Sequence, residues 1–321
     1  MKLKYLYADL KSDLDIIEKE LELAVNSTSL LLNDASLHLL QAGGKRIRPV
    51  FVLLSAKFGQ FNIENMKKIA VPLELIHMAS LVHDDVIDNS DMRRGRKTVK
   101  AEWNNRVAMY TGDFIFARAL QYVTAIENPR AHQILARTMV EIVNGEIIQI
   151  EDKFRSNQTI KDYFRRIKRK TALLIESSCE LGAVVSEASE SDIFHLRRFG
   201  YYVGMSFQIV DDILDFTATD KELGKPAGSD FLQGNFTLPI LLMKDDKRIV
   251  PYIEKVMSGE LSEVDRKNML QIVRKSDAIN ESMKISNAYL KKALKEVEAL
   301  SDNPMKKKLK DVALFMGKRK F

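Results

Sequence analysis

The stretch ELIHMASLVHDDVIDNSDMRRG at residues 74–95 decides the fold prediction, because it joins helical apolar spacing to a cluster of charged residues. Apolar residues recur along it every three to four positions, which is typical of an amphipathic helix. The acidic motif DDVID at residues 84–88 lies on the same predicted helix. Positions i, i+1 and i+4 of a helix fall within about 100° of arc. We therefore expect three carboxylates on one side of this helix.

A second copy of the acidic pattern, DDILD at residues 211–215, lies on another predicted helix. Carboxylates that are so close repel one another, so a buried cluster requires cations among its oxygens. Mg²⁺ suits such a cluster, since it is commonly held by one or two carboxylates, waters and substrate phosphates. A solvated acidic face is the alternative interpretation of one isolated motif. Two copies, each within an apolar helix, favour a metal-dependent site.

The helical spacing of apolar residues continues over almost all of the 321 residues and predicts about eleven helices. Two of the longer predicted helices cover residues 159–186 and 238–256. The content of 14 Gly and 7 Pro is too low for a β-sandwich or a Gly-rich α/β protein. Because no linker or shift in composition divides the chain, we predict a single all-α domain over residues 1–321. Its architecture is expected to be a large helical bundle with a central active-site cavity.

Composition also indicates where the protein works and what it binds. One cysteine, Cys179, excludes a disulfide framework and a cysteine-based zinc site, and fits a reducing cytosol. The first 15 residues contain no uninterrupted apolar core, and no apolar stretch is long enough to span a membrane. We expect a cytoplasmic protein with at most peripheral membrane contact. The net charge of +6 permits an anionic partner, but no aromatic–basic patch indicates nucleic acid.

Basic motifs near the acidic ones fit phosphate chemistry. The glycines of GGKRIRP at residues 43–49 free backbone amides before a helix start, where partial positive charge favours anions. Arg93 and Arg94 follow the first acidic motif, and arginine forks match phosphate oxygens. Carboxylates, metals and arginines together would form a diphosphate clamp. A basic surface turn at GGKR, and a salt bridge from either arginine to the aspartates, are the alternatives.

Further polar residues accompany these motifs. His77 lies seven and eleven positions before Asp84 and Asp88, so it falls on nearly the same line of the helix, although a packed core histidine is the alternative. A Lys-Thr pair at residues 170–171 follows a basic block that alone would be a solvated face. The dipeptide FQ precedes the second acidic motif. The loop at residues 224–230 carries a lysine that either reaches a phosphate or lies in a plain surface turn.

These motifs occur in the order seen in trans-type polyprenyl diphosphate synthases, which the chain resembles from about residue 36 to residue 243. The resemblance is carried by GGKRIRP, ELIHMASLVHDDVIDNSDMRRG, the KT pair, GMSFQIVDDILDF and LGKPAGSDFLQGNFTLP. Within this family the chain is most similar to the catalytic component II of two-component heptaprenyl diphosphate synthases. The resemblance implies the all-α isoprenoid synthase fold. It also implies a dimer, either a homodimer or a heterodimer with a small regulatory subunit.

The reaction implied by the resemblance is a Mg²⁺-dependent prenyl transfer. Isopentenyl diphosphate condenses with an allylic diphosphate, expected to be farnesyl diphosphate, to give a long-chain all-trans polyprenyl diphosphate. Heptaprenyl diphosphate, a precursor of the menaquinone side chain, is the expected product. No nucleophilic side chain is needed, which agrees with the lack of a convincing Ser/His/Asp or Cys/His arrangement in the sequence.

The resemblance also implies a role for each matching residue. Three Mg²⁺ ions are expected on the metal ligands Asp84, Asp88, Asp211 and Asp215. The expected catalytic residues are Asp84, Asp85, Asp88, Asp211, Asp212, Asp215, Lys170 and Lys225. The allylic diphosphate is expected on Arg93, Lys170, Thr171, Gln208 and Lys225. The diphosphate of isopentenyl diphosphate is expected on Gly44, Lys45, Arg48, His77 and Arg94.

Product length and one departure from the family pattern complete the expectations. In the family the product grows into an apolar tunnel beneath the first motif. Ala79 and Ser80, just before that motif, are small, so the tunnel should continue past them toward Ile76. The resemblance then predicts a product of about 30 to 40 carbons. Many relatives have Lys where this chain has Asn235, which removes one expected phosphate cation.

Two other functions compete with this interpretation. A class I terpene cyclase shares the helical fold and one DDxxD motif, but usually has a different second metal motif and needs no isopentenyl diphosphate site. A non-catalytic partner subunit or scaffold typically lacks the aspartates. Both acidic motifs and GGKRIRP are present here, so the synthase is favoured.

Overall fold

The computed structural model describes residues 8–224 and 226–318, and almost all of its regular structure is helical. The helices are α1 Lys11–Ala24, α2 Leu30–Gln41, α3 Ile47–Ala56, α4 Ile63–Ile87, α5 Val99–Glu102, α6 Asn105–Val123, α7 Pro129–Asp152, α8 Ile160–Ile167, α9 Leu173–Val185, α10 Glu190–Thr217, α11 Asp220–Leu223, α12 Ser229–Leu232, α13 Leu238–Leu241, α14 Val250–Ser258, α15 Glu263–Lys275, α16 Asp277–Ala299 and α17 Met305–Gly317. The predicted all-α class is confirmed.

Three short elements complete the secondary structure. A 3₁₀ turn, Ala8–Leu10, precedes α1. Strands β1 Met92–Arg93 and β2 Arg96–Lys97 form an antiparallel hairpin after α4. A π-helical segment, Lys168–Ala172, joins α8 to α9, so the predicted helix at residues 159–186 continues through it with a change of helical pitch.

Local sequence explains where the principal helices begin. The side chain of Asn62 accepts hydrogen bonds from the backbone at the start of α4. At α7, Asn128 caps in the same way and Pro129 occupies the first turn, where its missing N–H costs nothing. Ser189 caps α10. These caps fix the ends of the three longest helices, which carry most of the predicted site residues.

The helix predicted over residues 238–256 is wrong in its middle. Helix α13 ends at Leu241 and α14 begins only at Val250. Between them the Asp246 carboxylate accepts hydrogen bonds from the backbone N–H of Arg248 at 2.9 Å and from its guanidinium. An aspartate that binds the backbone two residues onward favours a turn over a continuing helix.

The interior consists of two clusters of buried apolar side chains. The first gathers α1, α3, α4 and the start of α10, and the second gathers the end of α10 with α8, α13 and α15. Helices α10 and α16 contribute to both clusters. This sharing supports the predicted single domain, which stays a prediction.

The surface has one run of exposed aliphatic side chains on α7. Val140, Val143, Ile147 and Ile150 are 61%, 61%, 50% and 48% exposed. Their spacing of three and four places them on one face of the helix. Within the described ranges, no helix is both long and apolar enough to cross a membrane.

Candidate active site

The three carboxylates of the first acidic motif contact cations from different parts of the chain. Asp84 and Asp88 face cations from elsewhere in the fold: Lys170 Nζ lies 3.8 Å from Asp84 Oδ2, and Lys153 Nζ lies 2.8 Å from Asp88 Oδ1. Asp85 is buried and accepts hydrogen bonds from Arg93 Nη2 at 2.7 Å and Nε at 2.9 Å. The three carboxylates therefore have different partners, and the β-hairpin supplies Arg93 to the middle one. The expectation that they share one side of the helix stays a prediction.

The aspartates of the second acidic motif also differ in their hydrogen-bond partners and in their burial. Asp212 Oδ2 accepts from the Tyr163 hydroxyl at 2.6 Å, and Oδ1 accepts from Gln208 Nε2 at 2.8 Å. Asp215 is turned to the loop that follows α10, where it accepts from the Ser229 hydroxyl at 3.2 Å and from the backbone of residue 230. Both side chains are buried, whereas Asp211 is partly exposed. The expected common side stays a prediction for this motif too.

The π-helical segment brings the two motifs to one site. Lys170 contacts Asp84 and also donates to Gln149 Oε1 at 2.8 Å. Its neighbour Thr171 donates to Gln208 Oε1 at 2.6 Å, and Gln208 continues to Asp212. A π-turn inserts one extra residue into a helical turn and is frequent at functional sites. Adjacent side chains of this segment thus serve different acidic motifs.

Two glycines allow the π-helical segment to approach its neighbours. A Cβ at Gly145 of α7 would lie 2.7 Å from Arg169 Cβ, and a Cβ at Gly204 of α10 would lie within close contact of Ala172. Any larger residue would push the segment away from α7 or α10. These glycines therefore allow the segment that carries Lys170 to pack closely between α7 and α10.

The two acidic motifs, with Glu146 and Lys170 beside them, form the acidic half of the site. Burial controls the charge of this half. It raises the pKa of Asp84 and of Glu146, although Lys170 beside them works in the opposite direction. The pKa of Lys170 is raised, because Asp84 and Glu146 outweigh the burial that would lower it. Burial, with the charge of Asp230 nearby, raises the pKa of Asp212 to about 7. The acidic half thus has too few cations among the described residues to offset its burial.

The GGKRIRP loop, together with His77 and Arg94, forms the cationic half of the site, beside the acidic half. Arg46 adopts a left-handed conformation with φ of 48° just before α3, and its guanidinium forms two hydrogen bonds with Glu18 at 2.6 and 2.7 Å. Buried Glu74 lies 3.4 Å from the same guanidinium. A Cβ at Gly44 would lie 2.9 Å from Arg94 Nη1, so the arginine passes directly over this glycine.

Arg48 and His77 give this half its character. The buried Nε of Arg48 has no hydrogen-bond partner within the described part of the chain, and burial lowers the Arg48 pKa to about 10. His77 is partly buried, and burial together with Arg48 and Arg94 holds its pKa well below the usual range. His77 is therefore neutral near pH 7. A buried, unpartnered guanidinium donor among other arginines suits an anion with several oxygens.

Comparison with known proteins agrees with this geometry. The family model described as Polyprenyl synthetase matches residues 29–273. The chain belongs to the polyprenyl synthetase family. It is 56% identical to the heptaprenyl diphosphate synthase component 2 of Geobacillus stearothermophilus over the full length of both chains.

Solved structures of family members have the same fold. The heptaprenyl diphosphate synthase from Staphylococcus aureus is similar with a TM-score of 0.91 and 45% identity, over 96% of this chain and 98% of that one. The polyprenyl synthase from Caulobacter crescentus, complexed with calcium and isoprenyl diphosphate, has a TM-score of 0.94 and 29% identity, over 99% and 98% of the two chains. The predicted resemblance to this family, and to component II within it, is confirmed.

The remaining predicted residues of this polyprenyl synthetase lie as follows. Ile76 and Ala79 are buried on α4, one to two turns before the first motif, and partly buried Ser80 donates to the carbonyl of His77. Lys45 lies in the loop with Gly44, and Lys225 falls outside the described residues. The partners of Asn235 include the backbone carbonyl of residue 230, at 2.8 Å from its N–H.

The sequence interpretation missed several residues of the site: Glu74, Glu146, Gln149, Lys153 and Tyr163. Glu146 and Gln149 are three positions apart on α7 and so share a face, which is a signal that could have been found. Lys153 ends α7 and Tyr163 lies seven residues before the Lys-Thr pair. Neither belongs to a recognisable pattern, because each reaches the site only through folding.

The raised pKa of Asp212 predicts a pH-dependent stability. In protein free of divalent cations, the unfolded carboxyl loses its proton near pH 3.9 and the folded one only near pH 7. Between these values the folded state binds more protons, so the contribution of Asp212 to the free energy of unfolding should fall as the pH rises. We expect the free energy of unfolding of wild type, measured relative to that of Asp212→Asn by urea unfolding, to be lower at pH 8 than at pH 5.

Asp246→Asn is the matched control. Arg248 lowers the pKa of Asp246 to about 2, so this exposed carboxylate stays ionised at both values of pH. The stability difference for Asp246→Asn should be the same at pH 5 and pH 8. An equally constant difference for Asp212→Asn would contradict the raised pKa.

Proposed function

We propose that the chain is a Mg²⁺-dependent prenyltransferase that joins isopentenyl diphosphate to an allylic diphosphate and makes a long-chain all-trans polyprenyl diphosphate, heptaprenyl diphosphate in particular. One observation carries this proposal. A cationic half with an unpartnered buried Arg48 donor lies beside an acidic half in which Lys170 and Lys153 pair with the first motif. The component 2 name of similar chains supports the heptaprenyl product.

Each half suits one diphosphate. We assign the isopentenyl diphosphate to the cationic half, which holds Gly44, Lys45, Arg48, His77 and Arg94. The allylic diphosphate would bind at the acidic half, where its oxygens meet Arg93, Lys170, Thr171, Gln208 and the loop of Lys225. Arg93 lies between the two halves, since it binds Asp85 and its charge also acts on His77.

The donor chemistry of the acidic half fits magnesium. Asp84 and Asp88 are one helical turn apart, and partly exposed Asp211 belongs to the motif that Thr171 and Gln208 connect to Lys170. Mg²⁺ prefers such oxygen ligands and usually completes its coordination with waters and phosphate oxygens. The ion would supply positive charge that makes the diphosphate a better leaving group. Three ions are the family expectation, with Asp215 as a ligand only if it leaves the contacts it makes with the loop.

The residues of the chain would act by binding and charge stabilisation. The allylic C–O bond breaks, and the departing diphosphate takes the electron pair while Lys170 and Arg93 stabilise its negative charge. The isopentenyl double bond then forms the new C–C bond with the allylic cation, and the resulting carbocation passes a proton to the released diphosphate as its new double bond forms. Neutral His77 and the arginines hold the second diphosphate in place for this attack. We keep a cytoplasmic location as a prediction.

The first test is an assay of the purified chain together with the small component from the same cell, and in parallel without it, using Mg²⁺, radiolabelled isopentenyl diphosphate and farnesyl diphosphate. We expect labelled prenyl alcohols after dephosphorylation, no product in EDTA, and a fall in kcat of at least about 100-fold for Asp84→Ala. Asp246→Ala, which removes an aspartate that pairs with Arg248 between α13 and α14, is the control. Absence of product both with and without the second component would contradict the proposal and favour a non-catalytic subunit.

Product length provides a second prediction. Ala79 is 1% exposed and small, so a large side chain there would close the tunnel that the family places beneath the first motif. We expect Ala79→Tyr and Ser80→Phe to shorten the product, as measured by chromatography. Ala288→Tyr on the exposed face of α16 should leave it unchanged. If both site variants fold, judged by their melting temperatures, and still make the full-length product, the tunnel assignment is wrong.

The partner is a second, different polypeptide in this proposal. Similar chains are named component 2, and α7 exposes the aliphatic face described above. Burial of such a face is worth about 25 cal/mol per Å² of apolar area removed from water. We expect the chain alone to be poorly active and to gain activity with the small component from the same cell. Val143→Asp should weaken that gain, while Val264→Asp, another exposed valine, should not. Full activity of the chain alone, as a monomer or homodimer, would contradict this partner.

A further inference from the structure

Tyr163 is a fully buried tyrosine whose hydroxyl points at the second acidic motif. The side chain is 0% exposed, and the hydroxyl donates to Asp212 Oδ2 at 2.6 Å. Burial raises the Tyr163 pKa well above its usual value, so the hydroxyl keeps its proton and remains a donor. A carboxylate accepts only, which fixes the direction of this hydrogen bond.

The short helix α8 that carries Tyr163 is anchored at both ends. Thr159 and Asp162 form a capping box at its start. Buried Arg166 donates to the Phe236 carbonyl at 2.7 Å and to Gln158 Oε1 at 2.9 Å. The tyrosine therefore reaches Asp212 from a fixed position in the fold.

A directed chain of hydrogen bonds starts at this tyrosine. In its ionised form Asp212 only accepts, so Gln208 turns its amide N–H toward Asp212 and its carbonyl oxygen toward the Thr171 hydroxyl. The three successive donor–acceptor distances are 2.6, 2.8 and 2.6 Å. The orientation of the Gln208 amide thus depends on Asp212, and that of Asp212 depends on Tyr163.

We propose that Tyr163 is a positioning residue that holds Gln208 and Thr171, through Asp212, in the orientation that binds the allylic diphosphate. This inference rests on the proposed function, in which those two side chains contact that substrate. Without the hydroxyl, one buried oxygen of Asp212 would lose its donor, which is costly. The carboxyl would then rotate or take a proton, and Gln208 would lose its fixed partner.

The effect should be confined to one substrate. Within residues 8–224 and 226–318, no hydrogen bond joins this chain to Arg48, His77 or Arg94 of the cationic half. If Gln208 and Thr171 lose their fixed orientation, binding of the allylic diphosphate should weaken, while binding of isopentenyl diphosphate should not change. General destabilisation would not separate the two substrates in this way.

The experiment compares Tyr163→Phe with Tyr122→Phe. Tyr122 donates to Glu20 Oε1 at 2.7 Å, so its variant also removes one tyrosine–carboxylate hydrogen bond, but on the side of α1. For Tyr163→Phe we expect KM and Kd for farnesyl diphosphate, measured with Mg²⁺ by kinetics and calorimetry, to rise about 10-fold. Values for isopentenyl diphosphate should stay within about twofold, and Tyr122→Phe should change neither substrate.

A double-mutant cycle tests the route through Asp212. In an Asp212→Asn background, Tyr163→Phe should have less than about half its effect, because the acceptor it positions has already changed. Unchanged farnesyl diphosphate binding, equal weakening of both substrates, or full additivity with Asp212→Asn would each overturn the inference. If wild type binds both diphosphates selectively but forms no product, the proposed reaction fails while the calorimetric comparison still decides the role of Tyr163. Failure of wild type to bind either diphosphate would overturn both proposals.

Discussion

The ion pair between Lys170 and Asp84 depends on the π-helical segment, and the rest of the site depends on that pair. A regular helix through residues 168–172 would place successive side chains at ordinary helical angles. The π-turn instead directs Lys170 to the first acidic motif and Thr171 to the Gln208 chain of the second. The glycines at positions 145 and 204 leave room for this turn. Helices far apart in sequence are thereby connected at one site by adjacent residues.

Charge explains why this arrangement requires a ligand. The acidic half contains Asp84 and Asp212, whose pKa values burial raises, and the cationic half contains Arg48 and Arg94, whose pKa values burial lowers. Burying one sign of charge costs free energy unless the opposite sign lies close by. Arg93 and Asp85 satisfy each other at the boundary. Diphosphates with divalent cations would bring compensating charge of both signs to the two halves.

The sequence was sufficient for the helical class, for the motifs and for the division into a phosphate-binding loop and two acidic helices. Periodicity and motif order depend on local chemistry, which is readable in one chain. The hydrogen-bond partner of each aspartate could not be predicted from the sequence, because the partner lies on another element of the fold. Asp85 accepts a hydrogen bond from Arg93 of the hairpin, and Asp212 accepts one from Tyr163. The break at Asp246 was missed because one side-chain turn interrupted otherwise helical spacing.

The two DDxxD motifs are alike in sequence and different in structure. The last aspartate of the first motif, Asp88, stands at the C-terminal end of α4 and pairs with Lys153. The last aspartate of the second, Asp215, lies within α10, and its backbone carbonyl and carboxylate accept hydrogen bonds from Gly228 and Ser229, where the loop ends and α12 begins. Arg266 binds the Ala227 carbonyl of that loop at 2.8 Å. The second motif therefore supports two parts of the site: Asp212 accepts from Gln208, and Asp215 accepts from the backbone of Asp230 in α12, whose charge helps to raise the pKa of Lys170.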